Sequence, residues 1–169
     1  NALRVALNNR PGPTHLDIMA EVFAANIELD ENALKEKMVR YPTGGQQGLI
    51  EKAAHLLLSS KNAAILAGAG AIEASEEISE LAETFGIPVA TTLRGRGIIR
   101  EDHDLAIGPV GLYGTNVANK YLRSGIDVLL AIGTSFSEFT THAWDRRIQP
   151  FGSEIQICVT TWEIGKNYP

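Results

Sequence analysis

The sequence predicts an α/β domain with a doubly wound, mainly parallel sheet and helices on both faces. Three observations predict it. Short apolar runs alternate with helix-period stripes from residue 46 to about 160. The run Asp127-Val128-Leu129-Leu130-Ala131-Ile132-Gly133 is apolar on both faces of a strand, as strands covered by helices on two sides must be. Small or hydroxyl residues (Gly68, Thr92, Gly133) close three of the strands, where chain turns toward a helix are expected.

The elements follow in order. Residues 3–8 read as the last turns of a helix, which Arg10-Pro11-Gly12-Pro13 stops because proline lacks an amide hydrogen and restricts its neighbour. Residues 14–18 alternate well enough for a short strand. Residues 19–45 carry little periodicity and end in Tyr41-Pro42-Thr43-Gly44-Gly45, a linker signal. Leu49, Ile50, Ala53, Ala54 and Leu57 predict an amphipathic helix over 46–60. Ala63–Ala67 is a buried strand ending at Gly68. Ile72, Ile78, Leu81, Ala82 and Phe85 predict a helix over 71–85, stopped by Gly86 and Pro88. Residues 89–92 form the next strand. Residues 93–113 are glycine-rich and mostly irregular, with a short strand near 105–108. Thr115 caps a third helix whose inner face is Val117, Ala118, Tyr121 and Leu122. Strands at 127–132 and 155–159 complete the sheet.

Composition narrows the function. With 20 acidic and 15 basic residues the net charge is −5, which argues against nucleic acid or an anionic membrane as partner. The single cysteine, Cys158, excludes an internal disulfide and a multi-cysteine zinc site, and it fits a reducing, cytoplasmic setting. No apolar stretch approaches the ~20 residues needed to span a bilayer. Asn1-Ala2 resembles the remnant of a cleaved tag, so an excised piece of a longer protein is expected.

Ligands of such sheets bind beyond the carboxyl ends of the strands. Three segments stand there. Gly68-Ala69-Gly70 lets a phosphate approach the backbone, although Glu73 occupies the place of a third glycine. Thr92-Leu93-Arg94-Gly95-Arg96-Gly97 carries arginines suited to phosphate or to a carboxylate on a partner domain. Gly133-Thr134-Ser135-Phe136 offers hydroxyls to ribose or phosphate. Each also reads as a plain glycine-punctuated loop. Asp102-His103-Asp104 reads as a solvated loop rather than a metal cluster, and His142 lacks catalytic spacing. Cys158 reads as a buried strand thiol, and Glu76, Glu77, Glu80 and Glu83 as a solvent face. No nucleophile elbow, Walker loop or HExxH motif occurs.

The order of these motifs carries a resemblance. Leu66-Ala67-Gly68-Ala69-Gly70-Ala71, then Phe85-Gly86-Ile87-Pro88-Val89-Ala90-Thr91-Thr92, Gly95-x-Gly97, Glu101-Asp102-His103, Gly108, Gly111, Gly114, Asn119 and the 127–133 run follow one another. This resembles the Rossmann-like central domain of thiamine-diphosphate-dependent 2-oxo-acid enzymes, most closely acetolactate synthase large subunits. Arg10-Pro11-Gly12-Pro13-Thr14-His15-Leu16-Asp17-Ile18 looks like the end of that family's pyrimidine-binding domain, and Ile164-Gly165-Lys166-Asn167-Tyr168 like the end of its central domain. The resemblance therefore implies residues 1–18 from the preceding domain, a linker over 19–45 and a central domain over 46–169.

It further implies a parent of three α/β domains, working as a homodimer or homotetramer on a 2-oxo acid. Thiamine diphosphate and Mg2+ would be held by the two outer domains, and the 169 residues alone would have no turnover. The central domain of such enzymes binds FAD in some members, ADP in others and nothing in many decarboxylases. Carried over by position, the cofactor contacts would be Gly68, Ala69, Gly70, Thr92, Leu93, Val110, Gly111, Leu112, Gly133 and Thr134. Synthases that hold FAD usually read Gly-Ala-Arg-Phe-Asp-Asp-Arg where this chain reads Gly133-Thr134-Ser135-Phe136-Ser137-Glu138-Phe139. A common Met-His pair is Leu112-Tyr113, and a usual acidic residue is Cys158. Each change removes a charge-assisted contact, so weak nucleotide binding or an empty cleft is expected. Decarboxylase or acyl-CoA lyase chemistry in the parent, and a stand-alone nucleotide-binding module, are the competing readings.

Overall fold

The computed structural model describes residues 2–8, 10–28, 32 and 44–168. Asn1 and the Tyr41-Pro42-Thr43 stretch of the expected linker lie outside the described residues. The chain divides into two units, Asn1–Gly44 and Gly45–Pro169.

In the first unit, α1 (Ala2–Leu7) ends where the sequence predicts, and Gly12 donates its N–H back to Ala6 O at 3.1 Å. A single turn, α2 (Ala20–Phe23), follows. The strand expected over 14–18 does not form: residues 11–19 have no regular structure and are exposed throughout. Alternation prepares a strand, but a ladder needs a neighbour to accept its backbone groups, and among the described residues none is offered here.

In the second unit α3 (Gln47–Ser59) leads into β1 (Ala63–Ala67), then a 3-10 turn (Ala69–Ala74) and α4 (Ser75–Phe85). Strand β2 (Val89–Thr91), a 3-10 turn (Leu93–Gly95) and β3 (Ala106–Pro109) come next. They are followed by α5 (Asn116–Leu122), β4 (Val128–Ile132), α6 (Glu138–Thr141), a 3-10 turn (Arg146–Ile148) and β5 (Ser153–Ile157). All five strands are parallel, in the order β3-β2-β1-β4-β5. Ile65 pairs with Val89 on one side and Leu130 on the other, and Leu130 pairs in turn with Ile155. The order reverses between β1 and β4, the point where an open α/β sheet leaves a crevice.

Two apolar layers hold the sheet. Ala63, Ile65, Ala67, Val89, Val128 and Leu130 share one face with Ile78 and Ala82 of α4, and Leu57 of α3 packs against them. Ala64, Leu66, Ala90, Leu129 and Ala131 face the other way, under Ala118 and Leu122 of α5, Phe136, Ile148 and Tyr168. Burying an aliphatic side chain contributes roughly 1.5–3 kcal/mol, so β1, buried at all five positions, is the strand the unit can least afford to lose.

Local signals set the ends. Gly86, at φ +63°, terminates α4 in the left-handed region, and Ile87 donates to Ala82 O at 3.0 Å. Thr115 Oγ1 accepts from the Ala118 N–H at 3.1 Å, capping α5 as expected. Four expectations need correction. The helix over 71–85 opens as a 3-10 turn and becomes α-helical only at Ser75. Leu49 and Ile50 of α3, and Val117 of α5 (61% exposed), lie on outer faces. The last strand begins at Ser153 rather than 155, because Ser153 N–H donates to Asp127 O at 2.8 Å and ties its start to the start of β4. Cys158 consequently stands one residue past β5, only partly buried. No helix among the described residues is long and apolar enough to cross a membrane.

Candidate functional site

The loops beyond the carboxyl ends of the strands carry all ten residues singled out by sequence. At the β1–β4 switch point Gly68 and Gly70 lie directly on Gly133. A Cβ on Gly68 would stand 2.3 Å from Gly133 O, and one on Gly133 2.4 Å from the carbonyl carbon of Gly70. Gly133 itself has φ +60°. Gly70 donates its N–H to Gly133 O at 3.0 Å, Gly68 donates to Ile132 O at 2.8 Å, and Ala71 to Gly68 O at 2.9 Å. The glycines here bring two backbones together, and the amide hydrogens of Gly68, Gly70 and Ala71 are spent within the protein.

The β2 loop joins this junction. Thr92 is buried, donates its N–H to Ala67 O at 2.9 Å and accepts from Gly95 N–H at its Oγ1, 3.1 Å away. Gly95 then sits so close that a Cβ would meet Ala67 O at 2.6 Å and the Gly68 carbonyl carbon at 3.2 Å. Leu93 points outward, half exposed.

The β3 loop forms a second junction. Val110 is buried and donates to Thr91 O at 2.8 Å. Gly111 has φ +107°, and a Cβ there would lie 2.3 Å from Phe139 O. Asn119, which sequence reasoning did not assign to the site, clasps it: Asn119 Oδ1 accepts from Gly111 N–H and Asn119 Nδ2 donates to Gly111 O, both at 3.0 Å. His142 Nε2 lies 3.2 Å from the same Oδ1 and must be the donor, because an amide oxygen only accepts. Leu112 donates to Phe139 O at 2.8 Å with its side chain exposed. Beside it Tyr113 and Phe139 stack at 6.4 Å, 70% and 62% exposed. The sequence signal for the clasp is Asn119 itself, a polar residue beside the inner-face residue Ala118 of α5.

The residues that form this sheet and its glycine-built junctions fall within the span matched by a family model. The model for the thiamine pyrophosphate enzyme central domain covers residues 50–169. The chain belongs to that family. It is 41% identical over 98% of its length to a probable acetolactate synthase large subunit of Methanocaldococcus jannaschii, and 40% identical over 99% to one of Methanococcus aeolicus. It is 31% identical over 98% of its length to the chloroplastic acetolactate synthase 2 of Nicotiana tabacum. The chain covers 29%, 28% and 25% of these relatives, so it corresponds to part of a longer protein.

Elsewhere in this central domain, a cavity of about 440 Å3 opens on the β2–β3 side. Thr91, Ile107, Pro109 and Tyr113 line it together with the Arg96–Glu101 ion pair, 2.6 Å long. None of the ten residues lines it. The 102–104 loop is tied by ordinary surface pairs. Arg100, hydrogen-bonded to Asp102, holds that exposed carboxyl below its usual range, and His103 Nε2 meets Glu83 at 2.9 Å while its Nδ1 accepts from Leu105 N–H. Asp145, beside α6, is held far below the usual carboxylate range, chiefly by Arg147 at 2.7 Å, with Arg123 at 3.1 Å adding to it. Among the described residues no group of three His, Cys, Asp or Glu side chains could hold a metal ion.

Proposed function

We propose that this central domain serves a larger thiamine-diphosphate-dependent enzyme of the acetolactate synthase type, which decarboxylates a 2-oxo acid and transfers the remaining acyl unit to a second carbonyl compound. The observation that carries this reading is the 40–41% identity, over nearly the whole chain, to proteins named as acetolactate synthase large subunits. Thiamine diphosphate, with Mg2+ in domains outside these residues, supplies the electron sink for decarboxylation. Residues 1–18 belong to the end of the preceding domain and 19–45 to a linker. The parent assembles as a homodimer or homotetramer in the cytoplasm.

Within that enzyme the domain contributes a scaffold and a weak nucleotide cleft at its carboxyl edge, formed by Gly68, Ala69, Gly70, Thr92, Leu93, Val110, Gly111, Leu112, Gly133 and Thr134. A diphosphate cradled by backbone amides does not fit the β1 turn, since the N–H groups of Gly68, Gly70 and Ala71 already have partners. This supports a domain that does not retain FAD.

Two assays on the purified 169-residue chain test the assignment against the full-length parent. With pyruvate, thiamine diphosphate and Mg2+, the parent forms carbon dioxide and a condensed product while the 169-residue chain does neither. Turnover by the short chain overturns the placing of the chemistry outside it, and a parent inactive on every 2-oxo acid tried overturns the enzyme class. The short chain purifies colourless, and calorimetric titration with FAD gives weak or no binding.

A further inference from the structure

We infer that the cavity on the β2–β3 side is a binding site in its own right, which takes an uncharged small molecule carrying an amide group on an apolar body. The first observation is a buried hydroxyl. Thr91 lines the cavity, yet it is only 4% exposed, and its hydroxyl has no hydrogen-bond partner among the described residues. The other three threonines buried to this degree are engaged. Thr92 accepts from Gly95 N–H, Thr141 donates to Ser137 O, and Thr160 Oγ1 meets Cys158 Sγ at 3.7 Å. A hydroxyl shielded from bulk water gains from any ligand group that restores its missing hydrogen bond.

The charged part of the lining sets the class of ligand. Arg96 Nε and Nη2 both donate to Glu101 Oε1, at 2.8 and 2.6 Å. That one-oxygen pairing leaves Arg96 Nη1 as a donor and Glu101 Oε2 as an acceptor, both without a partner among the described residues. A donor beside an acceptor complements the C=O and N–H of one amide. An anion would be repelled by Glu101 and a cation by Arg96, so net charge on the ligand is penalised with either sign. Ile99, Ile107 and Pro109 give the lining an apolar stretch suited to a hydrocarbon or aromatic body. The volume of about 440 Å3 accommodates a small molecule. Gly97, also in the lining, has nothing within 4 Å of its would-be Cβ, so the wall is open there.

Benzamide, benzoate and benzylamine present a benzene ring with no charge, a negative charge and a positive charge. Each is titrated into the 169-residue chain and followed by the backbone amide signals. Benzamide binds most tightly, with a Kd on the order of millimolar. It moves the signals of Gly97, Gly108 and Gly114, which line the cavity, and leaves those of Gly68, Gly70 and Gly133 in place. Thr91→Val, which exchanges the hydroxyl for a methyl group, weakens benzamide about fivefold, whereas Thr91→Ser keeps the affinity. Glu101→Gln removes the repulsion and brings benzoate at least level with benzamide. Tighter binding of benzoate or benzylamine by the unaltered chain overturns the class of ligand. Unchanged benzamide affinity in Thr91→Val overturns the role of its hydroxyl. Shifts confined to Gly68, Gly70 and Gly133, or no shifts with any of the three compounds, overturn the site.

Discussion

At the amino end of the β1–β4 pair, Asp127 accepts the backbone N–H groups of Lys61 and Asn62 at 2.7 and 3.1 Å, and Tyr121 donates its hydroxyl to Asn62 Oδ1 at 3.0 Å. At the carboxyl end of the same pair no side chain intervenes: Gly68 and Gly70 rest on Gly133, with a backbone hydrogen bond between Gly70 and Gly133. One end is closed by adding a charged acceptor, the other by omitting every Cβ. The difference teaches where change is tolerated. A polar tie can be weakened one bond at a time, whereas a backbone-to-backbone contact leaves no room for even a methyl group.

The largest effect is expected at the bare end. Gly133→Ala combines a left-handed φ with a Cβ 2.4 Å from backbone atoms that cannot move aside, and should cost about 3 kcal/mol or more, lowering the melting temperature by roughly 10 °C. Melting within a degree or two of the unaltered chain would show that the junction yields. Gly86→Ala separates conformation from space. Gly86 has nearly the same φ, +63°, with nothing within 4 Å of its would-be Cβ, so only the left-handed penalty of about 1 kcal/mol remains, roughly 3 °C. Equal losses at the two glycines would mean that the close contact contributes nothing.

The polar end should give the smallest shift, and a pH-dependent one. The Lys61 N–H, and then the Asn62 N–H, hold the Asp127 carboxyl below its ordinary value. A carboxylate depressed in the folded state stabilises it above the unfolded-state pKa, and that contribution is lost as pH falls through the folded value. Asp127→Asn should therefore melt below the unaltered chain at neutral pH. The two curves should converge as the medium is acidified past the carboxylate range. Parallel curves across that range would remove Asp127 as their source.

Legibility in the sequence tracked the range of the cause. Ala63–Ala67 and Val128–Ile132 emerged with their bounds nearly unchanged, because an apolar run buried on two faces is a local statement. Gly86 and Thr115 acted as written, since a cap involves residues three or four apart. Residues 14–18 alternate like a strand and form none, and Ile155–Val159 looked like the last strand while the ladder runs over Ser153–Ile157. In the first, no ladder partner stands among the described residues, and in the second the start of the ladder is set by Asp127 O.

By itself, then, the sequence determined the alternation of strands and helices, the parallel sheet that alternation demands, and the grouping of Gly68, Thr92, Gly111 and Gly133 at strand ends, because periodicity and capping are encoded over a few residues. Only the tertiary structure decided what those glycines are for. Gly68 and Gly133 are 65 residues apart, and nothing local says that each lacks a Cβ for the sake of the other. Nor does anything local say that Gly70 N–H is taken by Gly133 O, or that Asn119 holds Gly111. Those facts are pairings between distant segments, and a pairing exists only once the chain has brought both members to the same edge of the sheet.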